Sequence, residues 1–238
     1  LGEHVQARGL DGRTDFRSWP TVTIDGEDAR DFDDAITLEQ LPNGHYWLGV
    51  HIADVAHYVG EGTVLDQEAY DRATSVYFPE RALHMFPAEL ATGLCSLKPD
   101  VDRLVQSCLM EVDARGDVVR YQLHDGVIHS DARMTYTGVN AIITDHDPAE
   151  MARYEPLVPL FVRMRELFVI LNERRHRRGS IDFDLPEAKL VLDQEGLVAE
   201  ITQAQRNVAH RIIEEFMLLA NETVARHLEQ SGMPSLYR

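Results

Sequence analysis

The chain of 238 residues is 44% hydrophobic and 26% charged, which is ordinary for a globular protein of one large or two small domains. Its two cysteines are too few for a disulfide framework or a cysteine-rich zinc site. No apolar run approaches the roughly 20 residues that cross a bilayer, and no targeting signal opens the sequence. We therefore expect a reduced, cytoplasmic protein with no membrane contact. The net charge of −17 argues, by composition alone, against a nucleic-acid partner.

Residues 1–20 are polar and contain several glycines, and we interpret them as a linker or the tail of a preceding domain. Alternating apolar residues and intervening turn residues predict strands at about 21–25, 35–40, 45–54, 104–113, 118–129, 188–193 and 197–203. Apolar residues at helical spacing predict helices at about 64–77, 137–143, 157–178 and 206–230, with one short helix in the proline-containing segment 79–103. Strands and helices interleave without regular βαβ spacing. We therefore predict an α+β fold with a mixed, mostly antiparallel sheet flanked by helices.

An acidic stretch, Asp25–Asp34, holds six acids against one arginine. Apolar residues before it (22–24) and after it (35–36) predict strands that enter and leave the stretch. Acids at this density repel one another unless something neutralises them, and hard oxygen ligands select Mg²⁺, with Mn²⁺ as a substitute. We interpret the stretch as a metal site. The alternative is a solvated acidic loop, which is the usual meaning of a charge run.

Two familiar acidic motifs do not fit the stretch. A calcium loop needs glycine at its sixth position, but that residue is Arg30 when counted from Asp25 and Ile36 when counted from Asp31. A DxD phosphatase nucleophile follows an apolar strand, whereas polar residues precede Asp31. The spacing that remains is D-x5-D-x-D-D, formed by Asp25, Asp31, Asp33 and Asp34.

This spacing resembles the signature of the ribonuclease II superfamily, and the surrounding residues most resemble its ribonuclease R branch. The matching segments occur in family order and cover nearly the whole chain. They are TIDGEDARDFDDAI (23–36), HIADVAHYV (51–59), RATSVYFPER (72–81), LCSLKPDVDRL (94–104), RRGSIDFDLPEAKL (177–190) and AHRIIEEFMLLAN (209–221). The resemblance implies that residues 21–238 are the N-terminal part, about two-thirds, of an RNB exoribonuclease catalytic domain.

The family's activity implies hydrolytic, processive 3′-to-5′ degradation of single-stranded RNA to nucleoside 5′-monophosphates by two-metal-ion catalysis. By resemblance, Asp25, Asp31 and Asp34 are catalytic magnesium ligands. Asp33 is a ligand or an orienter of the attack, and the intervening acids are peripheral. Metal ions would offset the negative charge of the centre, and the cluster at Arg174–Arg178 is the densest basic segment. We expect a monomer, with RNA-degradation machinery as a candidate partner.

Three further residues have RNA-binding roles in the matching family positions. Tyr77 would clamp RNA near the catalytic centre, and Tyr136 would stack near the 3′-terminal nucleotide, which suits an enzyme that accepts every base. Glu214 would meet the terminal ribose and favour RNA over DNA. The alternatives are a core tyrosine at 77 and helical ion pairing of Glu214 or Glu215 with Arg211. The role of Arg133 stays open between a structural residue and a phosphate contact, and we interpret His51 and His57 as structural.

The chain ends before a family segment whose arginine assists at the scissile phosphate. This difference leaves two alternative functions open. The chain could be a catalytically incompetent fragment that acts as an RNA-binding module. It could also belong to another two-metal phosphohydrolase, one that acts on small nucleotides. Cleavage of end-labelled RNA with and without Mg²⁺ discriminates among them.

Overall fold

The computed structural model describes residues 5–6, 9–78, 81–180, 188–193, 197–203 and 206–236. The strands in these ranges are β1 (Thr14–Asp15), β2 (Thr21–Asp25), β3 (Asp34–Gln40), β4 (Tyr46–Ala53), β5 (Val76–Tyr77), β6 (Ala82–Leu83), β7 (Asp102–Val112), β8 (Val118–His129), β9 (Ala132–Thr135), β10 (Ala188–Leu192) and β11 (Val198–Gln203). The α-helices are α1 (Val55–Tyr58), α2 (Val64–Arg72), α3 (Tyr136–Asn140), α4 (Pro148–Arg153), α5 (Val158–Arg177) and α6 (Val208–Gln230). Shorter turns are π-helical at Leu90–Leu94 and Ala141–Asp145, and 3-10 at Glu155–Leu157. None of the described helices is long and apolar enough to cross a bilayer.

Seven of the strands form one sheet in the order β1-β8-β7-β4-β3-β2-β9. Neighbouring strands are antiparallel except in the two outermost pairs, where β1 runs parallel to β8 and β2 runs parallel to β9. Helices α3, α5 and α6 bury the main core against one face. The π-helical turn Leu90–Leu94 and Phe32 of the acidic stretch belong to a second core on the other side. The predicted α+β fold with a mostly antiparallel sheet flanked by helices is confirmed.

Most of the longer predicted elements are present. The hairpin predicted at 104–113 and 118–129 corresponds to β7 and β8, and that at 188–193 and 197–203 corresponds to β10 and β11. The turn proposed for the second hairpin, at 194–196, lies outside the described residues. The sequence does not predict α1, α4 or β9, because each is too short to show a clear apolar period.

The helix predicted at 64–77 is wrong at its C-terminal end. Helix α2 begins after Thr63, whose side chain caps it, and stops at Arg72 because Ala73 adopts a left-handed conformation with φ of 62°. The chain then pairs β5 with β6 in a short hairpin. Tyr77 therefore lies in a strand and not at the end of a helix.

The first twenty residues are not a linker throughout, because residues from Arg13 onward join the fold. Strand β1 pairs with β8, and Phe16 is buried at 2% exposure in the second core. A Cβ atom on Gly126 would lie 2.6 Å from the Phe16 ring, so β8 needs glycine at this point. The Arg13 guanidinium also forms an ion pair with the buried Asp54 at 2.5 Å. The boundary predicted at residue 20 is therefore too late.

Candidate active site

Two of the predicted aspartates lie at the same end of two neighbouring antiparallel strands. Asp25 is the last residue of β2, and Asp34 is the first residue of β3. The parallel pairing of β2 with β9 places Asp25 opposite Thr135, so that Tyr136 follows at the start of α3. The sheet therefore brings Asp25, Asp34 and Tyr136 to one end, although Tyr136 is distant from the aspartates in sequence.

Ser96 holds the acidic stretch on both sides of Asp31. Its buried hydroxyl accepts a hydrogen bond from the Phe32 N–H at 3.1 Å and donates one to the Arg30 carbonyl at 2.8 Å. The next backbone N–H, that of Leu97, donates to the Phe32 carbonyl at 2.8 Å. Such a backbone is fixed from within the protein, which distinguishes the stretch from a solvated acidic loop.

Replacing Ser96 by alanine should lower the free energy of unfolding by about 1–3 kcal/mol, because two buried backbone groups would lose their partner. Urea denaturation measures the change. Ser18→Ala is the matched control, since Ser18 is exposed. A loss for Ser96→Ala no larger than that for Ser18→Ala would contradict the bridging role.

Arg133 holds the beginning of the acidic stretch. Its guanidinium donates to the carbonyl of Gly26 at 2.5 Å and to that of Glu27 at 2.9 Å. The same group lies over the Phe32 ring, 5.4 Å from the centroid. Its charge also acts to lower the pKa of Asp25. The role that the sequence leaves open for Arg133 is thus, in this structure, to position the backbone of the stretch.

The two strand-end aspartates are half-buried, and their charges are little neutralised. Burial, followed by the charge of Asp34, raises the pKa of Asp25 to about 7. Burial, followed by the charge of Asp33, raises the pKa of Asp34 to about 6. Atom Oδ2 of Asp25 is buried and has no hydrogen-bond partner. An unpartnered buried carboxylate oxygen is costly, and it is the kind of ligand that a hard cation takes, so these residues fit Mg²⁺.

The charges of the other two aspartates, Asp31 and Asp33, also affect the pKa values in the stretch. Desolvation and then the charge of Asp31 raise the pKa of Asp33, whose charge acts on Asp34 in turn. Across the described ranges, however, no three His, Cys, Asp or Glu side chains lie close enough together to hold an ion as they stand. Carboxylates repel when no cation lies between them. The four-aspartate ligand set therefore stays a prediction.

Tyr77 reaches the acidic stretch from the β5–β6 hairpin. Its hydroxyl donates to Oδ2 of Asp31 at 2.6 Å, and its side chain is 65% exposed. Nδ1 of His84 lies 3.7 Å from the same carboxylate oxygen. The alternative of a core tyrosine is wrong. Tyr77 presents its ring to solvent while its hydroxyl is bound beside the candidate metal ligands.

Tyr136 lies beside the strand-end aspartates, and α6 supports it. Its ring stacks on His210, with centroids 3.8 Å apart and planes inclined by 18°. Nδ2 of Asn207 donates to the Tyr136 carbonyl at 3.1 Å. Burial and the charges of Asp25 and Asp34 raise the pKa of Tyr136 to about 12. The sequence does not predict the stacking of His210, because it joins elements far apart in the chain.

The glutamates of α6 pair with arginines outside that helix. Glu214 forms an ion pair with Arg206, and the buried Glu215 pairs with Arg175 at 2.6 Å. Arg211 donates to the side-chain oxygen of an asparagine on α5. Glu214 lies on the same helix as His210 and near its N-terminus, which is the end that contacts Tyr136.

The arginines at 174–178 are largely neutralised by neighbouring acids. Arg174 binds Asp117 at 3.1 Å, and Arg178 binds Glu222 at 3.0 Å. These ion pairs join the end of α5 to the β7–β8 turn and to α6. The cluster therefore offers RNA less uncompensated charge than its sequence suggests.

The two histidines interpreted as structural contribute to the fold. His51 is fully buried between the hydroxyls of Thr37, at 3.1 Å, and Ser107, at 2.8 Å, and burial lowers its pKa to about 3. Nδ1 of His57 lies 3.4 Å from the Arg13 guanidinium, next to the ion pair that holds β1 in place. These contacts support the structural interpretation of His51, and that of His57, which is exposed, stays a prediction.

Comparison with known proteins identifies the domain. The RNB domain family matches residues 13–238. Ribonuclease R of Thermotoga maritima is 50% identical over 235 residues, which cover 98% of this chain and 33% of the relative. Ribonuclease R 1 of Lactococcus lactis is 48% identical over 236 residues, which cover 99% and 29%. The structure of Mycoplasma genitalium RNase R in complex with ribose methylated single-stranded RNA has a TM-score of 0.91 and 30% identity, covering 98% of this chain and 36% of that one.

The chain spans about a third of the length of these relatives. The family match begins at Arg13, which forms the ion pair with Asp54, and it runs to residue 238. It includes the acidic stretch and the segments that hold Tyr77, Tyr136 and Glu214. From sequence identity, fold and site together, this chain belongs to the RNB domain family.

Proposed function

We propose that this chain is the catalytic-domain portion of a processive 3′-to-5′ exoribonuclease, which hydrolyses single-stranded RNA to nucleoside 5′-monophosphates. The observation that carries the proposal is the half-buried pair Asp25 and Asp34 beside Tyr136, in which one carboxylate oxygen of Asp25 is buried and unpartnered. The ribonuclease R relatives support the reaction class, and one of them binds single-stranded RNA in its solved complex. The monomeric state, cytoplasmic location and association with RNA-degradation machinery stay predictions.

The aspartates supply the ligands for this chemistry. Asp25 and Asp34 from the strand ends, with Asp31 and Asp33 from the stretch between them, would hold Mg²⁺ or Mn²⁺. When bound, such ions activate water and stabilise negative charge at phosphorus and on the leaving oxygen. In the hydrolysis, the bond between phosphorus and the 3′ oxygen of the penultimate nucleotide breaks. The water oxygen remains on the released monophosphate, and a proton goes to the new 3′ hydroxyl.

Stacking, more than positive charge, would hold the RNA in this part of the protein. The chain carries a net charge of −17, and acids already pair with the arginines at 174–178. Tyr77 offers an exposed ring, and Tyr136 lies next to the aspartates. Each base–aromatic stack contributes about 1–3 kcal/mol and tolerates any base. This arrangement suits an enzyme that removes nucleotides without regard to sequence.

The experiment that tests the proposal uses the full-length protein and one RNA, labelled at either end, with Mg²⁺ or with EDTA. Stepwise loss of the 3′ label, dependent on Mg²⁺, supports the exoribonuclease. Internal cuts or loss from the 5′ end overturn it. Inert RNA together with hydrolysis of small nucleotides would instead favour another two-metal phosphohydrolase.

A second candidate function is an RNA-binding module without turnover. It is favoured by one observation, that no three potential ligands in the described ranges are close enough to hold an ion. Binding of the same labelled RNA without any cleavage in Mg²⁺ or Mn²⁺ would support this candidate and overturn the exoribonuclease. A rise in thermal stability on adding Mg²⁺ that is lost in Asp34→Asn would show that the aspartates hold the ion.

Glu214→Ala should slow RNA degradation by about tenfold, which corresponds to one or two hydrogen bonds from ribose hydroxyls to a carboxylate. Binding of a DNA oligonucleotide should change much less, because DNA lacks the 2′ hydroxyl. Glu229→Ala is the matched control, since Glu229 is exposed at the far end of α6. Equal effects of Glu214→Ala on RNA and DNA would leave Glu214 only its ion pair with Arg206.

A further inference from the structure

The two ends of Tyr77 face different surroundings. Its hydroxyl donates to Oδ2 of Asp31 at 2.6 Å, and this hydrogen bond is the main cause that raises the pKa of Tyr77 to about 12. Its ring remains open, with 65% of the side chain exposed. One edge of the ring meets the His84 ring at 87°, with centroids 6.3 Å apart. A surface that only stacks bases needs no hydroxyl, since phenylalanine has the same face.

The hairpin that carries Tyr77 forms a unit near the surface. Helix α2, which precedes it, has no buried residue. Hydrogen bonds join parts of this unit: Arg72 donates to the His84 carbonyl at 3.2 Å, and the Met85 N–H donates to the Ser75 hydroxyl at 2.9 Å. A unit with few buried side chains opens at low free-energy cost. A shift of the β5–β6 hairpin would therefore be transmitted to Asp31 through the tyrosine hydroxyl.

We propose that the Tyr77 hydroxyl is a positioning group for Asp31, and that it couples stacking of a nucleic-acid base on the Tyr77 ring to the metal affinity of the acidic stretch. This inference rests on the proposed function, because it takes Asp31 as a metal ligand and the ring as an RNA contact. Groups that orient a metal ligand typically contribute about 10- to 100-fold in affinity. The coupling is reciprocal: RNA tightens metal binding by the same factor by which metal tightens RNA binding.

The test measures Mn²⁺ affinity by electron paramagnetic resonance, with and without a ribose-methylated single-stranded oligonucleotide that resists cleavage. In the full-length protein, Tyr77→Phe keeps the ring and removes the hydroxyl. It should weaken Mn²⁺ binding by about tenfold and abolish the tightening by RNA, while the length of the final RNA product stays unchanged. Tyr77→Ala should weaken Mn²⁺ binding by as much as Tyr77→Phe does. It should also lengthen the final RNA product, because the stacking surface is gone.

Tyr70→Phe is the matched control, since Tyr70 is 81% exposed on α2, and it should leave every reading unchanged. Two results overturn the inference: Tyr77→Phe binds Mn²⁺ like the unaltered protein, or its metal affinity falls while RNA still tightens binding. Asp31→Asn separates this failure from failure of the proposed function. If Asp31→Asn weakens Mn²⁺ binding but Tyr77→Phe does not, the inference alone fails. If Asp31→Asn has no effect, the ligand set fails and the inference fails with it.

Discussion

Asp34→Asn should lower the rate of RNA hydrolysis by the full-length protein on the order of 10³-fold, while RNA affinity measured in EDTA changes by less than about twofold. The amide keeps the size of the carboxylate but lacks the charge that holds a cation. The loss should exceed the 10- to 100-fold typical of groups that only support a metal ligand. Affinity should persist because the rings of Tyr77 and Tyr136 are unaltered. Single-turnover degradation and anisotropy titrations on one RNA measure both quantities.

Asp28→Asn provides the control for this experiment, because it makes the same chemical change in the same acidic stretch at an exposed side chain. Its rate and affinity should match those of the unaltered protein. An Asp34→Asn protein that hydrolyses RNA as fast as the Asp28→Asn protein would remove Asp34 from the site.

Asp25→Asn should raise the free energy of unfolding of the metal-free protein at neutral pH by about 2–4 kcal/mol. Burial and the charge of Asp34 raise the pKa of Asp25 to about 7, so its ionised form destabilises the fold. The amide has no charge to bury, and it can donate a hydrogen bond. Urea denaturation in EDTA measures the gain. The carboxylate would thus lower stability at a site where the proposed function needs a negative charge.

The raised pKa of Asp25 also makes the stability of the metal-free protein depend on pH. The folded protein holds the Asp25 proton up to about pH 7, whereas an unfolded carboxyl loses it near pH 4. The free energy of unfolding should therefore fall between these values as pH rises, and fall less in Asp25→Asn. Adding Mg²⁺ should restore stability to the unaltered protein by mass action and not to the variant. If the free energy of unfolding depended on pH in the same way in both proteins, the raised pKa of Asp25 would be contradicted.

Local patterns in the sequence predict the parts of the site that are local in the chain. The apolar residues on either side of the acidic stretch predict that it joins two strands, and β2 and β3 are those strands. The left-handed residue that ends α2 is not predictable, because Ala73 is a good helix former and tertiary contacts override its propensity. As a result, the sequence places Tyr77 on the wrong element.

The contacts that assemble the site join residues far apart in sequence, and periodicity carries no information about them. Ser96 reaches the acidic stretch from a turn between two proline-containing segments. His210 meets Tyr136 because α6 packs beside α3. The parallel pairing of β2 with β9 joins strands far apart in the chain, because the chain passes from β8, near one edge of the sheet, to β9 at the other. For these residues the family resemblance predicts Tyr136 but not the groups that hold it.

The pairing of β2 with β9 would fix a distance within the active site of the proposed enzyme. Asp25 and Thr135 are fixed in register, so the sheet sets the distance between Asp25 and the backbone of Tyr136. A slip of one residue would displace Tyr136 by about 3.3 Å and turn neighbouring side chains to the opposite face. Backbone hydrogen bonds, and not flexible side chains, would then set how much RNA is removed in each cycle. A constant step of one nucleotide is therefore the behaviour that this rigid spacing supports.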